Sequence, residues 1–128
     1  MNKVIISTNK SPKAIGPYSQ AIKVQGGITF TSGQIPLNLD GNLVSEDFEK
    51  QVYQVLKNIN GILEERDKSL SDIVKLTVFL VDLSNFDIFK KVFEKYFNND
   101  SFPARSVVEV SKLPKNSQVE IEAIFNDN

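Results

Sequence analysis

Two charged residues late in the chain are placed where side chains can do chemistry: Arg105, within Phe102-Pro103-Ala104-Arg105-Ser106, and Glu120, between Val119 and Ile121. A guanidinium is seldom set among small and apolar neighbours without an anionic partner, which is either a protein carboxylate or a ligand. Period-two alternation puts Arg105, Val107 and Glu109 on one face of a strand and Ser106, Val108 and Val110 on the other. Glu120 is the obvious protein candidate, because an antiparallel hairpin centred near Lys112 and Leu113 sets it roughly opposite Arg105. The plain outcome of that geometry is a structural ion pair, commoner than a catalytic one. Spacing alone does not choose between that pair and an arginine that takes an anionic ligand.

Two earlier stretches have the same double character. Gly16-Pro17-Tyr18-Ser19-Gln20 and Thr31-Ser32-Gly33-Gln34 read plainly as turns, with Gly and Pro shaping the backbone and Ser or Thr capping it. As chemistry they offer a phenol and backbone N–H groups that can face a small anion. Neither has P-loop spacing, and the chain carries no dinucleotide-binding glycine fingerprint. With no Cys and no His, the chain excludes thiol nucleophiles, redox pairs, Ser-His triads and Cys/His zinc sites. A carboxylate-only site for Mg or Mn survives that argument, but no tight Asp/Glu cluster falls on one predicted element, so no metal is expected.

Composition bounds the rest. A chain of 128 residues, 41% hydrophobic and 24% charged, is expected to form one domain over residues 1–128, burying about two-thirds of its unfolded surface without a disulfide or a metal. A net charge of -1 with scattered lysines lacks the electrostatic footprint of a protein that works on nucleic acid. No apolar run is long enough to cross a bilayer, and Val4-Ile5-Ile6 is too short for a signal-peptide core. No membrane association and a cytoplasmic address are expected.

The elements that must position these residues begin with strands. Residues 3–7 and 21–24 are apolar and β-prone, and Gly26-Gly27 ahead of residues 28–31 is a hairpin signal. Pro36, Asn38, Asp40-Gly41 and Asn42 mark a loop over 33–45. Ser45 is placed to cap a helix whose Val52, Val55, Leu56, Ile59, Ile62 and Leu63 keep helical spacing. A second helix, over 85–97, presents an aromatic stripe of Phe86, Phe89, Phe93 and Phe97 that reads as core, with Ser84 and Asp87 spaced as a capping pair.

Between the helices, residues 73–81 form a strand with Val74, Leu76, Val78 and Leu80 on one face and Phe79 and Val81 on the other. Two more strands, 104–110 and 118–125, flank a loop holding Leu113-Pro114-Lys115-Asn116. This order predicts an α+β domain: a mixed, mainly antiparallel sheet packed on one face by two helices. One helical layer covers one face only, so the apolar residues on the other call for a second subunit.

Taken in order, Ala14-Ile15-Gly16-Pro17-Tyr18-Ser19-Gln20, Thr31-Ser32-Gly33-Gln34-Ile35-Pro36, Phe102-Pro103-Ala104-Arg105-Ser106, Leu113-Pro114 and Val119-Glu120-Ile121-Glu122-Ala123 resemble the RidA (YjgF-like) family over nearly the whole chain. The resemblance implies a chorismate-mutase-like fold, a homotrimer and three clefts between subunits. It implies that Arg105 clamps a substrate carboxylate and Glu120 positions the attacking water. Tyr18 then approaches from a neighbouring subunit, Ser32 and Gly33 line the anion end, and the backbone carbonyl of Val107 accepts a hydrogen bond from an imine nitrogen.

The physics agrees with both main roles. A guanidinium is a planar two-pronged donor that Lys cannot copy. A nearby cation favours an ionised Glu120, able to take a proton from water as it adds to the imine carbon. Many family members have Cys where this chain has Val107; a backbone contact survives that change, whereas thiol-dependent reactions do not. Where deaminase-type members commonly carry an Asn facing the cleft, this chain has Lys90, whose ammonium aids anion binding, obstructs the imine or simply snorkels to solvent.

The activity so implied is hydrolysis of 2-iminobutanoate or 2-iminopropanoate, made by pyridoxal-phosphate-dependent dehydratases, to 2-oxo acids and ammonia. The enzyme itself needs no cofactor, because the imine is already an activated electrophile. The rivals are a non-catalytic trimer binding a small 2-oxo acid in the same clefts, and a chaperone-like or ribonuclease activity. Absence of His and of a basic groove argues against a dedicated ribonuclease.

Overall fold

The structure, a computed structural model, describes residues 3–98 and 102–128. Strands β1 (Lys3–Ile6), β2 (Ala21–Val24) and β3 (Ile28–Thr31) form an antiparallel meander. Its second turn is the Gly26-Gly27 pair, with φ of 105° and 81°, a region that only glycine enters without strain. Helix α1 (Phe48–Glu65) follows, then β4 (Ile73–Leu80), helix α2 (Phe86–Phe97), β5 (Ala104–Glu109) and β6 (Val119–Asn126). The six strands make one sheet in the order β1-β2-β3-β6-β4-β5, antiparallel throughout except for the parallel pair β4–β5. A parallel pair needs a long crossover, and α2 supplies it.

Both helices lie on one face of this sheet, as predicted. The α1 stripe Val52, Val55, Leu56, Ile59, Ile62 and Leu63 is buried in one core with Leu76, Val78 and Leu80 of β4 and Val119, Ile121 and Phe125 of β6. Val74 does not join them. Ile73 pairs with Phe125 but Lys75 pairs with Ile124, so one extra residue is inserted at Val74. This bulge resets the alternation, burying Ile73 and leaving Val74 54% exposed.

Two helix starts also differ from expectation. Asp47, not Ser45, caps α1, accepting the Lys50 N–H at 3.0 Å, while Ser45 accepts the N–H of Asp47 itself. The pair Ser84/Asp87 does not cap α2. Asp82 takes the Ser84 N–H and Oγ–H instead, closing a short 3-10 turn (Leu83–Asn85) that leads into the helix. An Asp two residues upstream captures the serine before the serine can act as a cap.

On the face away from the helices, Ile5, Ile22, Phe30 and Ile124 stand in register across four strands. Ile5 is 63% exposed and Phe30 44%, while Ile22 and Ile124 are half-buried, so among the described residues this row is left partly uncovered. No described helix is long and apolar enough to cross a membrane.

Just beyond β6, buried Asp127 accepts hydrogen bonds from Thr29 Oγ1 at 2.7 Å and Arg66 Nε at 2.9 Å, tying the sheet to the end of α1. Burial alone raises a carboxyl pKa, but the two hydrogen bonds and the charges of Arg66 and Lys23 outweigh it and hold Asp127 below the usual carboxylate range. A pKa lower in the folded state means that the stabilisation is present above about pH 4 and is lost as pH falls through the folded value. The Arg66 side chain is 30% exposed, so water screens the pair. Asp127→Asn is expected to cost about 1 kcal/mol at pH 7 and to flatten the loss of stability below about pH 4, as measured by urea unfolding at several pH values.

Candidate functional site

Strand register decides where each candidate points. Arg105 pairs with Leu76, which faces the helices, so its side chain rises on the helical side of the sheet. There its guanidinium carbon lies 5.5, 5.8 and 5.0 Å from the ring centroids of Phe86, Phe89 and Phe93. No carboxylate among the described residues forms an ion pair with it. Arg105 and Val107 share a cleft of about 580 Å³ with Leu83, Ser84, Phe86 and Asp87. Arg105 also borders a smaller one, about 340 Å³, that includes Lys90, Phe93 and Glu94. Lys90 is exposed and stands beside the arginine on this neighbouring rim.

Glu120 goes the other way. It pairs with Phe79 of β4, one step out of phase with the core-facing positions, and so projects from the open face. The hairpin expected between the last two strands does not form, because β4 lies between β5 and β6. Residues 110–118 pass over β4 rather than turning back beside β5, so the expected Arg105–Glu120 ion pair is absent from the chain. Strand β5 takes the far edge of β4 because α2 returns it there in parallel.

Glu120 instead lines a cleft of about 240 Å³ with Ile15, Tyr18, Ser32, Gly33, Ile35 and Pro114. Its walls are stitched together by local bonds. Ser32 N–H donates to the Gln20 carbonyl at 2.9 Å, and Ser32 Oγ donates to that of Ser19. Tyr18 Oη accepts the Ile15 N–H at 3.2 Å. The buried Gln20 amide donates to the Thr8 and Pro12 carbonyls and accepts the Thr8 N–H, anchoring the strap that carries Tyr18.

Gln34 and Ile121 exchange backbone hydrogen bonds at 2.8 and 3.1 Å, which draws Gly33 against Glu120. A Cβ on Gly33 would overlap the Glu120 carboxylate. That glycine is needed for close approach rather than for its φ.

The seven candidates thus fall into two half-sites. Tyr18, Ser32, Gly33 and Glu120 come together on one side. Arg105 and Val107 come together on the other, with Lys90 beside them. Sequence reasoning missed Phe86, which both lines the arginine cleft and underlies the guanidinium, since an aromatic stripe at helical spacing reads only as core. It also missed Ile15, Ile35 and Pro114, although each sits inside a motif already singled out.

Burial and, second, the charge of Glu122 raise the pKa of half-buried Glu120 above the usual carboxylate range. The cation expected to oppose this, Arg105, is on the other face of the same chain. The arrangement offers an anion grip in one cleft and a carboxylate with raised proton affinity in another.

Comparison with known proteins places this architecture. Residues 8–126 match the family model described as endoribonuclease L-PSP. A RutC family protein of Pyrococcus abyssi is 50% identical over 125 residues, covering 97% of each chain. Among solved structures, the Rid family protein YyfA of Yersinia pestis superposes with a TM-score of 0.93 at 48% identity, covering 98% of this chain and 99% of that one. The structure of E. coli TdcF with bound serine has a TM-score of 0.90 at 38% identity, with 98% and 99% covered. The fold is that of a Rid-type domain, and the chain belongs to the RidA (YjgF-like) family.

Glu122→Gln removes a like charge beside Glu120, so the Glu120 carboxyl is expected to titrate at lower pH than in the wild type. A 13C NMR titration of the side-chain carboxyl checks the direction; a midpoint that rises or stays put contradicts the assigned cause.

Proposed function

We propose that the chain is a cofactor-independent hydrolase of small 2-imino acids, 2-iminobutanoate and 2-iminopropanoate, and that it works as a homotrimer with its active clefts between subunits. The observation carrying this reading is the separation of the two half-sites. A guanidinium with no ion-paired carboxylate among the described residues stands on one face and a half-buried carboxylate on the other, so neither cleft holds both groups. A second copy whose Glu120 side meets the Arg105 cleft supplies what is missing. The partly uncovered row Ile5, Ile22, Phe30 and Ile124 gives the copies an apolar surface to bury.

In such a cleft Arg105 forks the substrate carboxylate, and Leu83 and Val107 accept a short alkyl side chain. The Val107 carbonyl accepts a hydrogen bond from the imine nitrogen. Glu120 of the adjoining subunit takes a proton from water as its oxygen bonds to the imine carbon. It then delivers that proton to the nitrogen, giving a carbinolamine. The same carboxylate carries the carbinol O–H proton to the nitrogen as the carbonyl forms and the C–N bond breaks, so that ammonia and the 2-oxo acid leave. Burial raises the Glu120 pKa in the single chain, which makes its carboxylate a stronger proton acceptor. Tyr18 borders the same half-cleft, with Ser32 and Gly33 at its anion end and Lys90 at the arginine rim. The serine bound to TdcF also carries a nitrogen on the carbon beside its carboxylate, which fits this ligand class and equally fits a trimer that only binds such molecules.

An assay separates the two. With 2-iminobutanoate generated in situ and the remainder trapped by semicarbazide, wild type is expected to clear imine well above the buffer rate. Arg105→Lys and Glu120→Ala are each expected to lose about 100-fold or more. A wild type no faster than buffer refutes hydrolysis and leaves the binding reading. Mixing Arg105→Ala and Glu120→Ala chains before refolding tests the shared cleft. Half the chains bring an intact arginine and half an intact glutamate, so about a quarter of clefts regain both. No recovery on mixing would place both residues of a working site in one subunit.

Gly33→Ala adds a finer test. The overlapping atoms are the far end of a flexible side chain, so the variant is expected to fold with little change in Tm. Its kcat is expected to fall about tenfold or more as the carboxylate is pushed aside.

A further inference from the structure

We infer that the α2 aromatic stripe is a floor that fixes the plane of the Arg105 guanidinium and keeps it from pairing with the nearby carboxylates of Asp87 and Glu94, making Phe86, Phe89 and Phe93 positioning residues for carboxylate capture. The inference rests on the carboxylate-clamp reading above. The spacing 86, 89, 93 puts the three rings on one face of α2. Phe86 and Phe89 lie 6.5 Å apart at 28°, and Phe89 and Phe93 lie 5.7 Å apart at 32°, so the rings form a nearly continuous apolar surface. The guanidinium carbon is within 5.8 Å of all three centroids. Phe89 and Phe93 are buried and Phe86 is half-buried, which leaves the floor little freedom to move.

What makes this more than packing is the pair of acids that decline the arginine. Asp87 lines the larger cleft beside it and Glu94 the smaller one, yet neither forms an ion pair with it. A carboxylate partner would occupy the fork of N–H donors that a substrate needs. Ring faces attract the cation through their quadrupole and use none of those donors. The floor therefore holds the side chain in place and leaves its donor edges for a guest. It also gives Arg105 a role that Lys, with no planar face to lay on the rings, cannot fill.

The carboxylate changes little between ground and transition state, so a loosened floor raises KM and leaves kcat nearly unchanged. The test is a series of full-length proteins with 4-fluoro-, 3,5-difluoro- and pentafluorophenylalanine at position 93, the ring nearest the guanidinium. Fluorine drains the ring face of negative charge while nearly keeping its shape. The Kd of 2-oxobutanoate, used as a stable probe, and the KM for 2-iminobutanoate are expected to rise stepwise, to on the order of threefold, with Tm and kcat steady. Phe86→Leu is expected to raise the same two constants and Phe86→Tyr to restore them. If wild type binds 2-oxobutanoate and the fluorinated series is flat, the stripe is packing alone and the clamp stands without it. If wild type neither binds 2-oxobutanoate nor clears imine, the clamp fails and takes the floor's role with it.

Discussion

Side chains on a strand alternate between faces, and in this fold that rule, applied through β4, settles on which side of the sheet Arg105 and Glu120 stand. Leu76 carries Arg105 beside it and Phe79 carries Glu120, three positions further along the same strand. Three is odd, so the guanidinium and the carboxylate leave the sheet on opposite sides. A slip of one residue in either ladder would drive a charge into the helical core or expose a core residue. The packing of α1 on Leu76, Val78 and Leu80 is therefore also what aims the chemistry.

Each half then keeps its charged group available by a different physical device. The arginine is held by ring faces that leave its donors free. The glutamate lies against a close glycine, in a partly dry cleft whose burial, with the charge of Glu122, discourages the ionised form. Asp127, on the same sheet, shows the ordinary alternative: given a hydroxyl and a guanidinium it becomes a fully committed structural carboxylate. Three charged side chains in one small fold thus meet three fates according to what surrounds them, not according to their type.

Elements governed by local pattern were legible in the chain, and pairings between distant segments were not. The bounds of β2 and β3 and the α1 stripe follow directly from alternation, glycine turns and helical spacing. The bulge at Val74 could not be read, because the extra residue is defined only against a partner strand fifty positions away. The last hairpin was misread for the same reason: a turn-rich loop looks alike whether it folds back or crosses over a neighbour. Most of the candidate residues stand out through their motifs, Lys90 and Val107 only by position relative to them, and their division between two faces depends on register, which no motif encodes. The phenylalanine stripe was legible as core and illegible as a platform, since both uses ask for the same rings at the same spacing.

The two half-sites also differ in how much of the polypeptide they need. The arginine side is assembled from a single continuous stretch, β4, α2 and β5, within residues 73–109. The glutamate side gathers positions 15, 18, 32, 33 and 35 from early in the chain and 114 and 120 from near its end. Contacts that close long loops are the ones lost first when chain ends loosen. Under the proposed shared cleft, a protomer with frayed termini would keep its own arginine side and withhold the carboxylate that its neighbour's cleft needs. The damage would then fall on the adjoining subunit rather than on the one that frayed.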